Sequence, residues 1–390
     1  MSDTEAQVSM PEAIPPVEGQ FSCFAVVVPG LEKIAEAELN ALAVHGVEIV
    51  EGGVNFTSSM DALCRVNLRA RSITRVLLRL TDFKALSFPE LYNKAQKPAW
   101  ERYIAPDRPV SVKASCHHTR LIHSGRAEQA VVDAIAEKLK KADIILATSG
   151  DAQLITIRIE NDRCVISIDS SGERLDRRGY RLLSGPAPIR ETVAAGILQW
   201  MDWKPEQTLL VPMCGSGTFA IEAALMGQGR AANLSHNFAF LHWPALHQKR
   251  WKRVLEKTTG MQKPVSLSIT ASDVDEVVLA QAAANAVQAG VGDVVTFHKQ
   301  DVRTLQPAGQ SEEGGLIVCN PPYGDRIKGD VTALYRDIGK LLKQDAFKGW
   351  RMAVIAPDKA CEQALGLKAK RRLKIKHGGK WVRVLHLESV

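Results

Sequence analysis

Asn320-Pro321-Pro322-Tyr323 closes the apolar run Leu316-Ile317-Val318-Cys319. The side-chain carbonyl of Asn320 and the backbone carbonyl of Pro321 are two acceptors at a fixed spacing. A planar exocyclic amine has two hydrogens to offer them. Holding both hydrogens turns the nitrogen lone pair toward an electrophile, and Tyr323 is an aromatic plate that can stack on the ring carrying the amine. Pro321 and Pro322 have no N–H for a neighbouring strand, and each pushes the residue before it out of helical geometry. Asn320 therefore stands on a stiff loop at the carboxyl end of a strand, where open α/β sheets place their ligands. These four are the candidate catalytic residues. The same tetrapeptide also reads as a strand-ending turn with a packed tyrosine, so the rest of the chain must decide.

A second stretch points to a bound cofactor. Leu209-Leu210-Val211 runs into Pro212-Met213-Cys214-Gly215-Ser216-Gly217-Thr218. That order predicts a strand, a glycine turn and a helix. Glycines let backbone approach a ligand closely, and the helix amino-terminus offers free N–H groups to a carboxylate. Asp273 follows the strand-like Ser268–Ala271 and can bridge two ribose hydroxyls. Asp301 follows a further strand and can accept from an adenine amino group; Asp275 reads as a helix cap. No Lys-Ser/Thr pair follows the glycines, which argues against a nucleoside triphosphate. Residues 212–218, Asp273, Asp301 and Asn320 at successive strand ends describe one crevice that suits S-adenosylmethionine.

The elements that would carry these residues follow from periodicity. From Pro188 onward strands and helices alternate, which implies a doubly wound parallel sheet. Strands are expected near 208–213, 267–272, 294–299, 315–319 and 351–356. Leu373–Lys376 and Trp381–Leu387 surround Gly378-Gly379 and predict a closing antiparallel hairpin. An insertion, 227–263, carries Phe238, Phe240, Trp243 and Trp251 and reads as a packed edge, with base contact the lesser alternative. Phe21 to Leu80 follows a β-α-β-β-α-β rhythm, expected to be a ferredoxin-like unit. A second α/β unit runs from 81 to 170, and 171–187 is a linker holding Arg174, Arg177, Arg178 and Arg181.

The 390 residues suffice for two or three domains, and the net charge of +7 with a pI near 9.0 leans toward polyanionic partners. Basic residues crowd the first half, among them Arg65, Arg69, Arg75 and Arg79. Arg71, Lys113, His118, Arg120, Arg126 and Arg178 are the candidate phosphate contacts; a solvated basic face is the bland alternative. The seven Cys show no C-x-x-C spacing, so neither a zinc site nor a disulfide framework is implied. Cys116-His117-His118 with His123 reads as basic surface before metal site. No apolar run reaches ~18 residues, so no membrane span is expected. Residues 1–20 are acidic and Pro-containing and read as a disordered tail, not a signal peptide. A reduced cytoplasm fits these features.

The most specific pieces are Arg178-Gly179-Tyr180-Arg181, Ala187-Pro188-Ile189-Arg190-Glu191, the turn at 212–218 and Asn320-Pro321-Pro322-Tyr323. From about Phe21 to Val390 the chain resembles the THUMP-domain RNA methyltransferases, in particular those that methylate guanine N2 of large-subunit ribosomal RNA. The resemblance implies a ferredoxin-like domain at 21–80, a THUMP domain at 81–170 and a class I methyltransferase domain at 188–390. It also implies S-adenosylmethionine as methyl donor and structured RNA as partner, with 23S ribosomal RNA first and transfer RNA its competitor. Longer members of the family carry a second methyltransferase half, which this sequence does not include. Val211 stands where the family has an Asp that supports the cofactor's methionine end. Read from the residues alone, the amine acceptors also suit adenine N6, cytosine N4 or a glutamine amide. An RNA-binding protein with a weakened methyltransferase half is the non-enzymatic alternative.

Overall fold

The structure, a computed structural model, describes residues 19–182, 188–262, 265–307, 314–322 and 330–389. Tyr323, Ala187 and nearly all of the amino-terminal tail lie outside the described residues. Strands β1 (Phe21–Val27), β2 (His45–Val50), β3 (Gly53–Ser58) and β4 (Ile73–Lys84) alternate with helices α1 (Glu32–Ala41) and α2 (Met60–Arg69). All three pairings are antiparallel, in the order β2-β3-β1-β4, which is the ferredoxin-like arrangement expected. Ser59 caps α2 by accepting from the Ala62 N–H at 3.3 Å, satisfying one of the helix's free donors.

Helix α3 (Phe88–Ala95), strand β5 (Val110–His117), helix α4 (Ser124–Lys140) and strands β6 (Gln153–Glu160) and β7 (Arg163–Asp169) follow. Residues of β6 alternate buried and half-buried along its whole length, so one face is committed to the core. Asn161 and Asp162 turn the β6–β7 hairpin with positive φ.

The remaining elements are α5 (Glu191–Trp200), β8 (Thr208–Pro212), α6 (Thr218–Gly227), α7 (Gln248–Thr259), β9 (Ile269–Asp273), α8 (Glu276–Gln288), β10 (Val295–Lys299), β11 (Gly315–Cys319), α9 (Val331–Leu341), β12 (Arg351–Ala356), α10 (Lys359–Ala364), β13 (Arg371–His377) and β14 (Lys380–Glu388). Their sheet runs β10-β9-β8-β11-β12-β14-β13. It is parallel through β12, and β14 then pairs antiparallel with β12 and β13. Helices α5 and α6 and helix α9 with its neighbours supply the covering layers, so β8 and β11 are buried at every residue. Tyr335 of α9 lies fully buried against the sheet and donates its hydroxyl to the Ile355 carbonyl at 2.7 Å. Pro188 precedes α5 by three residues, and Arg190 takes the N-cap position without a side-chain cap.

The chain groups into two compact units that cut across sequence order. One holds Arg79–Asp169 and Ala239–Lys252; the other holds Phe21–Leu78, Ser170–Phe238 and Arg253–Val390. In the first, Trp243 of the insertion donates its indole N–H to Gln153 Oε1 at 3.0 Å and packs edge-on against Tyr103. Phe238, Phe240 and Trp243 are all buried, and Trp251 packs against Phe240. The insertion's aromatics are therefore core. In the second unit the Pro29-Gly30 turn lies against the edge strand β13. The Lys376 N–H donates to the Pro29 carbonyl at 3.0 Å. Gly30 has φ +102, and a Cβ there would stand 1.9 Å from the Lys374 carbonyl oxygen. That turn occupies a position where β13 would otherwise present an open edge.

Candidate active site

Strand β11 delivers Asn320. Its Leu316, Ile317 and Val318 are buried, each contributing about 1.5–3 kcal/mol through burial, so the strand's end is firmly placed. Ile317 pairs with Leu210 of β8, and Pro212 of β8 pairs with Ser272 of β9. Counting on from those pairs, Asn320, Met213 and Asp273 stand level on three adjacent strands, at the carboxyl rim of the sheet. The Asn320 Oδ1 atom is buried and has no hydrogen-bond partner among the described residues. Buried acceptors are rarely left so, and an incoming donor is the ordinary explanation. Pro321 is buried and Pro322 half-buried beside it.

The glycine turn has the backbone its sequence predicts. Met213, Gly215 and Gly217 have φ of +52, +54 and +79. Cys214 donates its N–H to the Ser272 carbonyl at 2.9 Å, and Gly215 donates its own to Asp273 Oδ2 at 3.1 Å. The second Asp273 oxygen accepts from the Asp275 N–H, and Asp275 caps α8 as expected. A Cβ on Gly215 would meet nothing within 4 Å, so the turn faces open space there. A Cβ on Gly217 would press on Ala282 at 3.1 Å. One glycine thus leaves room for a ligand and the other lets α6 approach α8. Asp301 stands just beyond β10, where its carboxylate accepts from the Arg303 N–H and guanidinium at 2.5–2.9 Å. That pairing holds its pKa below the usual carboxylate range. An adenine amine would have to share this carboxylate with Arg303.

Behind the turn lies a buried polar network. Arg178 donates to the Leu175 carbonyl, Asn233 Oδ1, the Arg71 carbonyl and Glu222 Oε1, at 2.5–3.4 Å. Tyr180 donates its hydroxyl to the same Glu222 oxygen at 3.1 Å. Arg71 donates to the Leu225 and Arg230 carbonyls and stands 3.9 Å from Glu222 Oε2; burial pulls its pKa down to about 10. These contacts correct the expectation that Arg71 and Arg178 meet RNA phosphates. Both guanidiniums are spent inside the fold, compensating the fully buried Glu222. Arg65 and Arg75 likewise donate to the Leu42 and Gly172 carbonyls.

Arg181, which sequence marked only as part of a motif, and Glu191, which it offered as a substitute for the acid missing at Val211, brace the turn. One Arg181 nitrogen donates to Thr218 Oγ1 at 3.0 Å and lies 3.1 Å from Glu191 Oε1. Burial pushes the Glu191 carboxyl up to about 7, and Arg181 draws it down less strongly. Asn285 of α8 donates to the Ser216 carbonyl at 3.1 Å and accepts from the Leu182 N–H at 2.9 Å. A cleft of about 500 Å³ opens beside these residues, lined by Arg174, Arg177, Arg181 and Arg190 with Glu173, Asp176 and Glu191. The signals available were the Arg-Gly-Tyr-Arg string and Glu222, a lone acid in the apolar run of α6.

The other candidate contacts fall on the first unit. Lys113, His117 and His118 are exposed along and just past β5, as are Arg120 and Arg126. The Arg126 guanidinium lies 4.5 Å from the Phe88 ring centroid. Among the described residues no group of three His, Cys, Asp or Glu stands together to hold a metal, and no helix is long and apolar enough to cross a membrane.

Comparison with known proteins gives three family matches along the chain. Residues 22–77 match the RlmL ferredoxin-like domain, 85–169 the THUMP domain, and 178–382 the UPF0020 RMKL-like methyltransferase domain. Two full-length relatives are described as candidate RNA methyltransferases. A Synechocystis protein, slr0064, is 33% identical over 91% of this chain and 94% of its own; YpsC of Bacillus subtilis is 32% identical over 92% and 94%. Among solved structures, the methyltransferase candidate SMU.472, in complex with S-adenosylhomocysteine, superposes with a TM-score of 0.87. It is 27% identical and aligns over 96% of this chain and 99% of its own. A Listeria monocytogenes protein described as a predicted N6-adenine-specific DNA methylase has a TM-score of 0.86 at 29% identity, over 95% of this chain and 97% of its own.

Proposed function

The chain belongs to the RMKL-like family of S-adenosylmethionine-dependent RNA methyltransferases, and we propose that its reaction is methylation of the exocyclic N2 of a guanine, most specifically in 23S ribosomal RNA. The observation that carries the amine reading is the buried, unpartnered Oδ1 of Asn320 beside the Pro321 carbonyl. Bound S-adenosylmethionine supplies an electrophilic methyl group. Asn320 and Pro321 take the amine's two hydrogens and aim its lone pair, while Pro322 stiffens the loop and Tyr323 stacks on the base. Residues 212–218 cradle the methionine end, Asp273 takes the ribose hydroxyls, and Asp301 takes the adenine amine. Glu191, beside Thr218 and Arg181, meets the cofactor's ammonium in place of the acid that Val211 lacks. Glu222 is already committed to Arg178 and Tyr180.

The rate comes from alignment, which can be worth up to ~7–11 kcal/mol without covalent catalysis. A duplex hides the amine, so the base must be flipped at a cost of a few kcal/mol, which stacking worth ~1–3 kcal/mol partly offsets. The domain division proposed, 21–80 and 81–170 ahead of 188–390, gives RNA grip to the first two parts, with Lys113, His118, Arg120 and Arg126 as phosphate contacts. Nucleoside mass spectrometry of separated ribosomal and transfer RNA from a deletion strain tests this reading. Loss of one N2-methylguanosine from 23S RNA is expected. Loss of a methyladenosine instead, or of a transfer RNA mark alone, overturns the assignment.

A further inference from the structure

The closing hairpin has a charge pattern that the proposed chemistry leaves unused. Every charged residue between Lys368 and Arg383 is a Lys or Arg. Along β13 and β14, Ile375, His377, Val382 and Val384 turn inward, while Lys374, Lys376 and Trp381 are exposed. Lys376 pairs with Trp381 and Lys374 with Arg383, so the four share one face of the hairpin. Trp381 is 49% exposed, and the Lys374 ammonium stands 4.8 Å from its ring centroid. Arg372 and Arg383 are held by Glu362, and Arg371 by the Trp200 carbonyl. Lys374, Lys376 and Lys380 have no acid within ion-pair distance among the described residues.

Topology sets where this face lies. Ala356, the last residue of β12, pairs with Arg383 of β14, and His377 pairs with Lys380. The Gly378-Gly379 turn therefore hangs over the carboxyl rim of the parallel sheet, the rim that carries Met213, Asp273 and Asn320. β14 and β13 are the second and third strands from β11. Asn320 is level with Ile355 and so with Val384; at ~4.8 Å per strand and ~3.3 Å per residue, Trp381 lies roughly 14 Å from Asn320 and the hairpin tip roughly 20 Å. That is about four to six nucleotide steps at the ~3.4 Å stacked rise of one strand.

We propose that the hairpin is a second RNA contact, which takes the strand leading from the target base: Lys374 and Lys376 on its exposed face and Lys380 at its tip meet phosphates, and Trp381 stacks on an unpaired base. This rests on RNA being the substrate. Flipping one nucleotide disturbs the stacking of its neighbours, and an exposed indole among lysines is the combination that receives such bases. One isolated Trp is too little apolar surface to insert in a membrane.

The full-length chain carrying Lys374→Glu, Lys376→Glu and Lys380→Glu tests it against wild type. Binding to protein-free ribosomal RNA is measured across a range of salt, and S-adenosylhomocysteine binding by calorimetry. RNA affinity should fall about tenfold or more, with a salt slope lower by about two to three and unchanged S-adenosylhomocysteine affinity. Trp381→Ala should weaken RNA binding several-fold with the slope kept, and Trp381→Phe should recover most of it. RNA binding equal to wild type in the triple variant overturns the proposal. So does unchanged RNA binding with lost binding to phosphatidylglycerol vesicles. Should charge reversal disturb the fold, seen as lost S-adenosylhomocysteine binding, the Gln triple decides by the same criteria. A wild-type chain that binds no RNA overturns the functional reading itself, which is distinct from a wild-type chain that binds and a variant that binds equally.

Discussion

Asn320 holds an acceptor that the fold leaves unpartnered, which makes its contribution separable from stability. Asn320→Ala should cut turnover to below about a tenth of wild type, because orientation effects are larger than that. Its RNA affinity and melting temperature should stay put; a variant with near-normal turnover would sink the amine-acceptor role. Arg178 is the opposite case. Arg178→Ala strips compensation from buried Glu222 and should destabilise by about 3–5 kcal/mol in denaturant titration. Lys113→Ala, exposed, should leave stability alone and lower RNA affinity. Glu191 gives a pH signature. Its folded pKa of about 7 lies above the ordinary 4.5, so between those values the folded chain holds a proton that the unfolded chain has released. Its contribution is fully present below pH 4.5 and is lost as pH rises through 7, to the extent of about 3 kcal/mol. Glu191→Gln should flatten that slope in melting curves taken from pH 5 to 8. If the cofactor's ammonium meets Glu191, affinity for S-adenosylhomocysteine should climb over the same window in wild type and not in the variant. Sequence showed the sign of these side chains but not their burial. Arg71 and Arg178 read as phosphate contacts because their counter-charge, Glu222, is far away in the chain.

Strand ends were legible because glycine and proline mark them. Thr208–Pro212 and Gly315–Cys319 are short apolar runs stopped by Gly-x-Gly and Pro-Pro, and each was expected within a residue of where it lies. Helix α7 was missed. Its sequence, Gln-Lys-Arg-Trp-Lys-Arg-Val-Leu-Glu-Lys-Thr-Thr, buries only Val254 and Thr258, too narrow a stripe to read as a period of 3.6. The tie between the Pro29-Gly30 turn and β13 was also illegible, since nothing local announces a partner so distant in sequence. Gly30→Ala should prove the more damaging of two glycine changes. It combines φ +102 with a 1.9 Å clash against backbone that cannot swing away, and about 2–4 kcal/mol is expected from thermal or denaturant unfolding. Gly217→Ala, crowding Ala282 at 3.1 Å, should cost about 1–2 kcal/mol and chiefly loosen cofactor binding.

At the scale of the molecule, sequence order and spatial grouping disagree. Phe21–Leu78 groups with the methyltransferase elements, and the insertion Ala239–Lys252 groups with Arg79–Asp169. A fragment starting at Leu182 therefore loses Arg71, Arg178 and Tyr180 from around Glu222, and the Pro29 carbonyl from β13. It should aggregate or melt far below the full chain, whereas a folded fragment with native S-adenosylhomocysteine affinity would show the grouping to be energetically idle. The same arrangement bears on synthesis. The Pro29-Gly30 turn is made early and its seat on β13 comes near the end. At ~5–20 residues per second the ribosome keeps them apart for tens of seconds. In that interval the first strands exist without their permanent neighbour, so nascent chains stalled before Arg371 should be cut by protease within Phe21–Leu78, and chains released after Glu388 should resist.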